Sequence, residues 1–167
     1  MPTAIIIVEG KCDFKYIERI LHVRYPNTRF SIIPAHSDNR IREIFNISKN
    51  LFGDIQKSPY HGRIFAVIDS VHTPGLSQHL EKMGMPKENV IVWQNNGIEY
   101  YYPQEIMSEI FHSNNQIQIN GDQIELNGLT YSKNQLVDLV ISKIHSETAY
   151  NKEFLNEFIL KIETFIS

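Results

Sequence analysis

The chain has 167 residues, 42% of them hydrophobic and 21% charged, proportions of an ordinary globular protein that exclude wholesale disorder and fibrous folds. No apolar run approaches the ~20 residues that cross a bilayer, and a single cysteine, Cys12, excludes a disulfide framework within one chain. The net charge of −3 hides an asymmetry: residues 1–63 carry ten Lys/Arg against six Asp/Glu, whereas residues 64–167 carry six against thirteen, so a polyanion partner stays in play despite the acidic mean.

The start, MPTAIIIVEG, has no basic region ahead of its apolar stretch and reads as a strand rather than a signal peptide. Ala4–Val8 (AIIIV) is a β-branched run without polar alternation, as in a strand buried on both faces. Beyond Gly10, Phe14, Ile17, Ile20 and Leu21 recur at helical spacing until Pro26. Residues 29–33 (RFSII) read as a second strand. Ser37 or Asp38 caps the next helix, with Ile41, Ile44, Phe45, Ser48, Leu51 and Phe52 on one face. Ile64–Ile68 (IFAVI) is a third buried strand, with Asp69 at its C-terminal end. Thr73-Pro74-Gly75 opens a short helix through Leu76, Leu80 and Met83, and residues 89–93 (NVIVW) form a fourth strand. This β-α-β-α-β-α-β order predicts a parallel sheet with helices on both faces.

The pattern then changes. Residues 97–102 (GIEYYY) read as strand or loop, and Pro103 begins a helix through Ile106, Met107, Ile110 and Phe111. Residues 116–126 alternate about Asn120-Gly121, a hairpin signal. Ser132 and Gln135 form a capping box ahead of Leu136, Val137, Val140 and Ile141. The last helix carries a broad stripe (Phe154, Leu155, Phe158, Ile159, Ile162, Phe165, Ile166), which closes the core or supports a homodimer. The expected fold is α/β: a Rossmann-like, mostly parallel sheet with helices on both faces, plus a β-hairpin and C-terminal helices. Residues 1–112 would form the α/β core, and 113–167 a hairpin and two-helix extension packed on it.

Open parallel sheets bind ligands beyond the C-terminal ends of their strands. Glu9 follows the first strand, Asp69 follows the third, and Asp13 lies one helical turn beyond Glu9. Hard oxygen ligands clustered in this way suit Mg²⁺ or Mn²⁺; otherwise Asp13 caps a helix and the strand-end acids are solvated. Lys11, Arg40, Arg42 and Lys49 are candidate nucleic-acid contacts in the basic half, or simply a solvated face. Tyr100, Tyr101 and Tyr102 offer rings for stacking on bases, although three in a row cannot all face one way. Cys12 reads as a packing residue, since no His lies near it in sequence. There is no GxxxxGK[ST] and no GxGxxG pattern, so the chain has no nucleotide-hydrolysing motor of that kind.

The strand running into Val8-Glu9-Gly10-Lys11-Cys12-Asp13 resembles the first motif of TOPRIM domains, and Ile68-Asp69-Ser70-Val71 stands where that family has its Asp-x-Asp. The segment GIEYYYP and the later Ser132-Lys133 look most like the OLD-type (overcoming lysogenization defect) nuclease group. The resemblance implies Mg²⁺- or Mn²⁺-dependent cleavage of phosphodiester bonds in DNA or RNA. It casts Glu9 as general acid/base or metal ligand, Asp69 as metal ligand, Asp13 as second-site ligand and Glu99 as completing the cluster. Lys133 would stabilise charge on the scissile phosphate. It further implies an ABC-type ATPase acting in trans, as in a defence system; the lone cysteine and the lack of an apolar run of spanning length lead separately to the expectation of a cytoplasmic protein without membrane partners. One departure matters: Val71 replaces the second Asp and cannot bind a cation, although His72 is adjacent. The alternative is therefore a catalytically degenerate TOPRIM-like module that recruits nucleic acid or protein.

Overall fold

The computed structural model describes residues 2–52, 55–69 and 75–166, with the backbone alone at positions 38, 45, 47–49, 51, 52 and 55. Four parallel strands, β1 (Ala4–Val8), β2 (Phe30–Pro34), β3 (Ile64–Ile68) and β4 (Val90–Val92), form a sheet in the order β2-β1-β3-β4. Helices α1 (Lys11–Arg24), α2 (Asp38–Phe52) and α3 (Gly75–Lys82) connect them. The β-branched runs supply both faces. Ala4, Ile6, Val8, Phe65 and Val67 point to the side covered by Tyr16, Ile17, Ile20 and Leu21 of α1. Ile7, Ile64, Ala66 and Ile68 point to the side covered by Ile41 of α2 and by Leu76 and Leu80 of α3. Helices thus lie on both faces, as the uninterrupted apolar strands require.

Among the described residues β2 and β4 are the edges of this sheet. The Arg29 carbonyl accepts from the Thr3 N–H at 2.7 Å, and the Ala35 N–H donates to the Val8 carbonyl at 2.8 Å. Backbone polar groups alternate in direction along a strand, so Phe30, Ile32 and Pro34 turn theirs outward.

The second half adds α4 (Gln104–Phe111), a three-stranded antiparallel sheet and α5 (Lys133–Lys143). The small sheet runs β5 (Gln118–Asn120), β6 (Gln123–Leu126), β7 (Leu129–Ser132). The expected hairpin is present, with Gly121 at φ 60° in its turn, but a third strand extends it. The second turn is Asn127-Gly128, with φ of 54° and 74°, the type I′ geometry that matches strand twist. The capping box forms: Ser132 Oγ accepts from the Gln135 N–H at 3.1 Å and the Ser132 N–H donates to Gln135 Oε1 at 2.9 Å. At α2 it is Ser37 whose Oγ accepts from the Arg40 N–H, at 3.1 Å.

The chain ends in a helix of three stretches, Lys152–Phe154, a π-helical Leu155–Ile159 and Leu160–Glu163. Its Phe154, Phe158, Ile159 and Ile162 are fully buried in the main core with α1, α4 and α5. The stripe closes the core, and a homodimer built on those four side chains would find them already covered. Among the described residues no helix is long and apolar enough to cross a membrane.

Candidate functional site

The chain passes from β1 to β2 on one side, then returns across β1 to β3 on the other. The β1/β3 boundary is therefore the topological switch point, where open α/β sheets form their ligand crevice. Glu9 directly follows β1 and Asp69 directly follows β3. The Asp69 N–H donates to Glu9 Oε2 at 3.1 Å, which brings the two acids together. Asp13 comes in from the first turn of α1; a Cβ on Gly10 would lie 3.1 Å from its Oδ2.

Glu99 arrives from a 3₁₀ turn, Ile98–Tyr101, where the sequence suggested strand or loop. It is only 4% exposed and faces Lys133 Nζ at 3.6 Å. Gly97, immediately before that turn, has φ 132° and ψ 140°, a region that only glycine visits readily. Lys133 is the first residue of α5 behind its Ser132 cap, and its side chain meets the buried Glu99 carboxylate, a pairing the sequence did not indicate. Its N–H donates to the Asp122 carbonyl at 2.9 Å, which ties α5 to the β5–β6 turn.

Asp13, Asp69 and Glu99 line one cleft of ≈ 210 Å³ together with Lys11, Lys133 and Asn134. Asp122 also lines it, a carboxylate that sequence reasoning passed over because it reads as a hairpin turn residue. Glu9 is not among the residues lining the cleft and joins the cluster through the Asp69 N–H. Burial first, then the Asp69 charge, push the Glu9 carboxyl up to about 8. Burial, then Asp69 and Glu99, push Asp13 up to about 7. Burial raises Glu99 as well, against the pull of Lys133. These are the shifts expected where like charges crowd out of water.

Not every predicted residue converges here. Arg40 pairs with Glu43 at 2.9 Å on the exposed face of α2. Arg42 reaches toward the start of α3, its Nη2 lying 3.9 Å from where a Gly75 Cβ would be. The Lys49 side chain, Val71, His72 and the Thr73-Pro74 helix start lie outside the described residues, as do the side chains of Asp38, Phe45, Ser48, Leu51 and Phe52. Three tyrosines in a row do not all face one way: Tyr101 packs in the core on Trp93 at 4.7 Å and Tyr102 on Tyr16 at 4.8 Å, so these two rings are not available to stack on bases. The Cys12 thiol, raised by burial and then by Glu99 and Asp13 to about 11, is no nucleophile at neutral pH.

The donor set fits a hard divalent cation. Among the described residues no three His, Cys, Asp or Glu side chains stand ready to hold one ion together. Mg²⁺ does not ask for such a cage: it keeps several waters and uses one or two carboxylates plus substrate phosphates. Comparison with protein-family models, curated proteins and solved structures found no match.

Proposed function

We propose that the chain is a TOPRIM-type, Mg²⁺- or Mn²⁺-dependent nuclease that cleaves phosphodiester bonds in DNA or RNA. The observation that carries this reading is the convergence of four carboxylates from three chain segments, Glu9 with Asp13, Asp69, and Glu99, at the switch point of a parallel sheet, with Lys133 beside them. Asp69 and Asp13 would hold the ion, and Glu99 is oriented by Lys133 to complete the set. When bound, such an ion polarises a phosphoryl oxygen and favours an attacking water. Glu9, with its carboxyl raised toward neutrality, is suited to accept and return a proton near pH 7. Lys133 supplies a fixed positive charge where negative charge develops on the phosphate. Lys11, in the turn after β1, lines the same cleft and would meet the backbone of the strand. An ABC-type ATPase in trans belongs to this reading as its activating partner.

The test is incubation with plasmid, single-stranded DNA and tRNA in Mg²⁺ or Mn²⁺. Cleavage is expected, and Glu9→Ala and Asp69→Ala should each lower it at least about 100-fold. Cleavage that survives both substitutions would sink the assignment. A second reading, a binding module with a broken metal site, is favoured by Val71 in place of the second Asp. It predicts no calorimetric Mg²⁺ or Mn²⁺ binding until Val71→Asp is introduced.

A further inference from the structure

Beside the acid cleft lies a second pocket, ≈ 220 Å³, and Glu99 lines both. Five amide side chains border it: Asn95, Gln104, Asn114, Asn115 and Gln116. No Lys or Arg is among its lining residues, so it is not built for phosphate. Amides offer a donor and an acceptor side by side, the pattern that reads a base edge. Gln104 and Asn114 both meet Ser108, whose hydroxyl accepts from Gln104 Nε2 at 3.3 Å and lies against Asn114 Oδ1. The exposed amides of Asn115 and Gln116 make no side-chain hydrogen bond among the described residues.

Two tyrosines complete the pocket. Tyr100 is half-buried and offers a ring edge or face at the wall. The Tyr102 hydroxyl is buried and has no hydrogen-bond partner among the described residues, although its ring is fixed against Tyr16 and only 4% exposed. A buried hydroxyl without an acceptor is costly, and an acceptor arriving with a ligand would remove that cost. Beyond the pocket, β5 exposes Gln118 and Asn120, which continue the amide surface.

We propose that this amide-and-tyrosine pocket receives one unpaired nucleobase, so that the substrate is a single strand or a locally opened duplex, seated with its neighbouring phosphate over the acid cleft. The proposal rests on the nucleic-acid reading above and names its substrate class. A paired base cannot leave the stack to enter a pocket without being flipped, whereas an unpaired one stacks and hydrogen-bonds at no such cost.

The test is fluorescence anisotropy on the full chain in Ca²⁺, with a fluorescein-labelled single-stranded DNA and an abasic strand of the same length as probes. The base-bearing strand should bind about tenfold tighter or more. Tyr102→Phe and Gln116→Ala should each shrink that ratio severalfold and leave abasic affinity unchanged. Tyr102→Phe removes only an unpartnered oxygen from a packed ring, and a thermal melt checks that the variant folds. Equal affinity for the two strands, or a ratio that neither variant moves, overturns the pocket. Plasmid cleavage with equal affinities would spare the nuclease reading and reject the pocket. A base-dependent ratio without cleavage in Mg²⁺ or Mn²⁺ would do the reverse. No binding of either probe would reject both.

Discussion

Gly97 decides where the Glu99 carboxylate can be. Its φ of 132° is closed to other residues, and a Cβ there would lie 2.5 Å from Glu99 Oε2. Gly97→Ala therefore combines backbone strain of ~1–3 kcal/mol with displacement of a buried carboxylate from Lys133. Chemical denaturation should report lost stability of at least that size, and calorimetry weaker divalent-ion binding. Gly62→Ala, where no atom lies within 4 Å of the added Cβ, should change neither. If Gly97→Ala behaves like Gly62→Ala, the turn does not position Glu99. Sequence alone could nominate Glu99 as a strand-end acid. It could not foresee that Gly97 clears its place, because the signal is a φ angle.

At the scale of elements, the last helix is an integral part of the core. Phe154 contacts the rings of Tyr16, Trp93, Tyr150 and Phe158 at 5.3–5.5 Å between centroids. Arg24 and the Tyr25 hydroxyl both bind Glu163 Oε1, at 3.0 and 2.7 Å, which ties that helix back to the end of α1. Phe154→Ala should cost ~3–5 kcal/mol in urea unfolding, whereas Leu160→Ala, at a residue 45% exposed, should cost under about 1 kcal/mol. Similar losses at the two positions would mean the helix is not docked as described. Most elements could be read from sequence because AIIIV and IFAVI have no polar face and the stripes of α1 and α3 follow the helical period. β7 escaped, although Asn127-Gly128 signals a type I′ turn. Its four residues end on Ser132, which also caps α5, and the capping signal masked the strand.

For the molecule as a whole, the acid cluster ties stability to pH. Unfolded, Glu9 and Asp13 titrate near their ordinary values, about 4.3 and 3.9; folded, they are raised to about 8 and about 7. The folded chain thus holds protons that the unfolded chain releases. The stabilising contribution is full below about pH 4 and is lost as pH rises through 7 to 8. Thermal denaturation should show Tm falling from about pH 5 to about pH 8.5. Mg²⁺ or Mn²⁺ should raise Tm by several degrees at the upper pH and little at the lower one, since a cation must compete with bound protons. Glu9→Gln should flatten the profile. A Tm independent of pH in wild type would contradict the clustering. Spacing hinted at part of this site: Glu9 and Asp13 are one turn apart, and two acids close two strands. The approach of Lys133 to Glu99 was beyond it, because the residues between them contain α4 and the whole small sheet, whose packing no local pattern encodes.

Pro34 has a consequence of another kind. On the outer margin of β2 the amide donors turned to solvent are those of Phe30 and Ile32, because the third outward position is proline and has no N–H. An incoming strand would gain two donors and then meet a ring. That is too little to template cross-molecule β-pairing, the usual seed of aggregation at a bare sheet margin. The β2 margin can therefore stay β-branched and isoleucine-rich without inviting copies of the molecule to add to it.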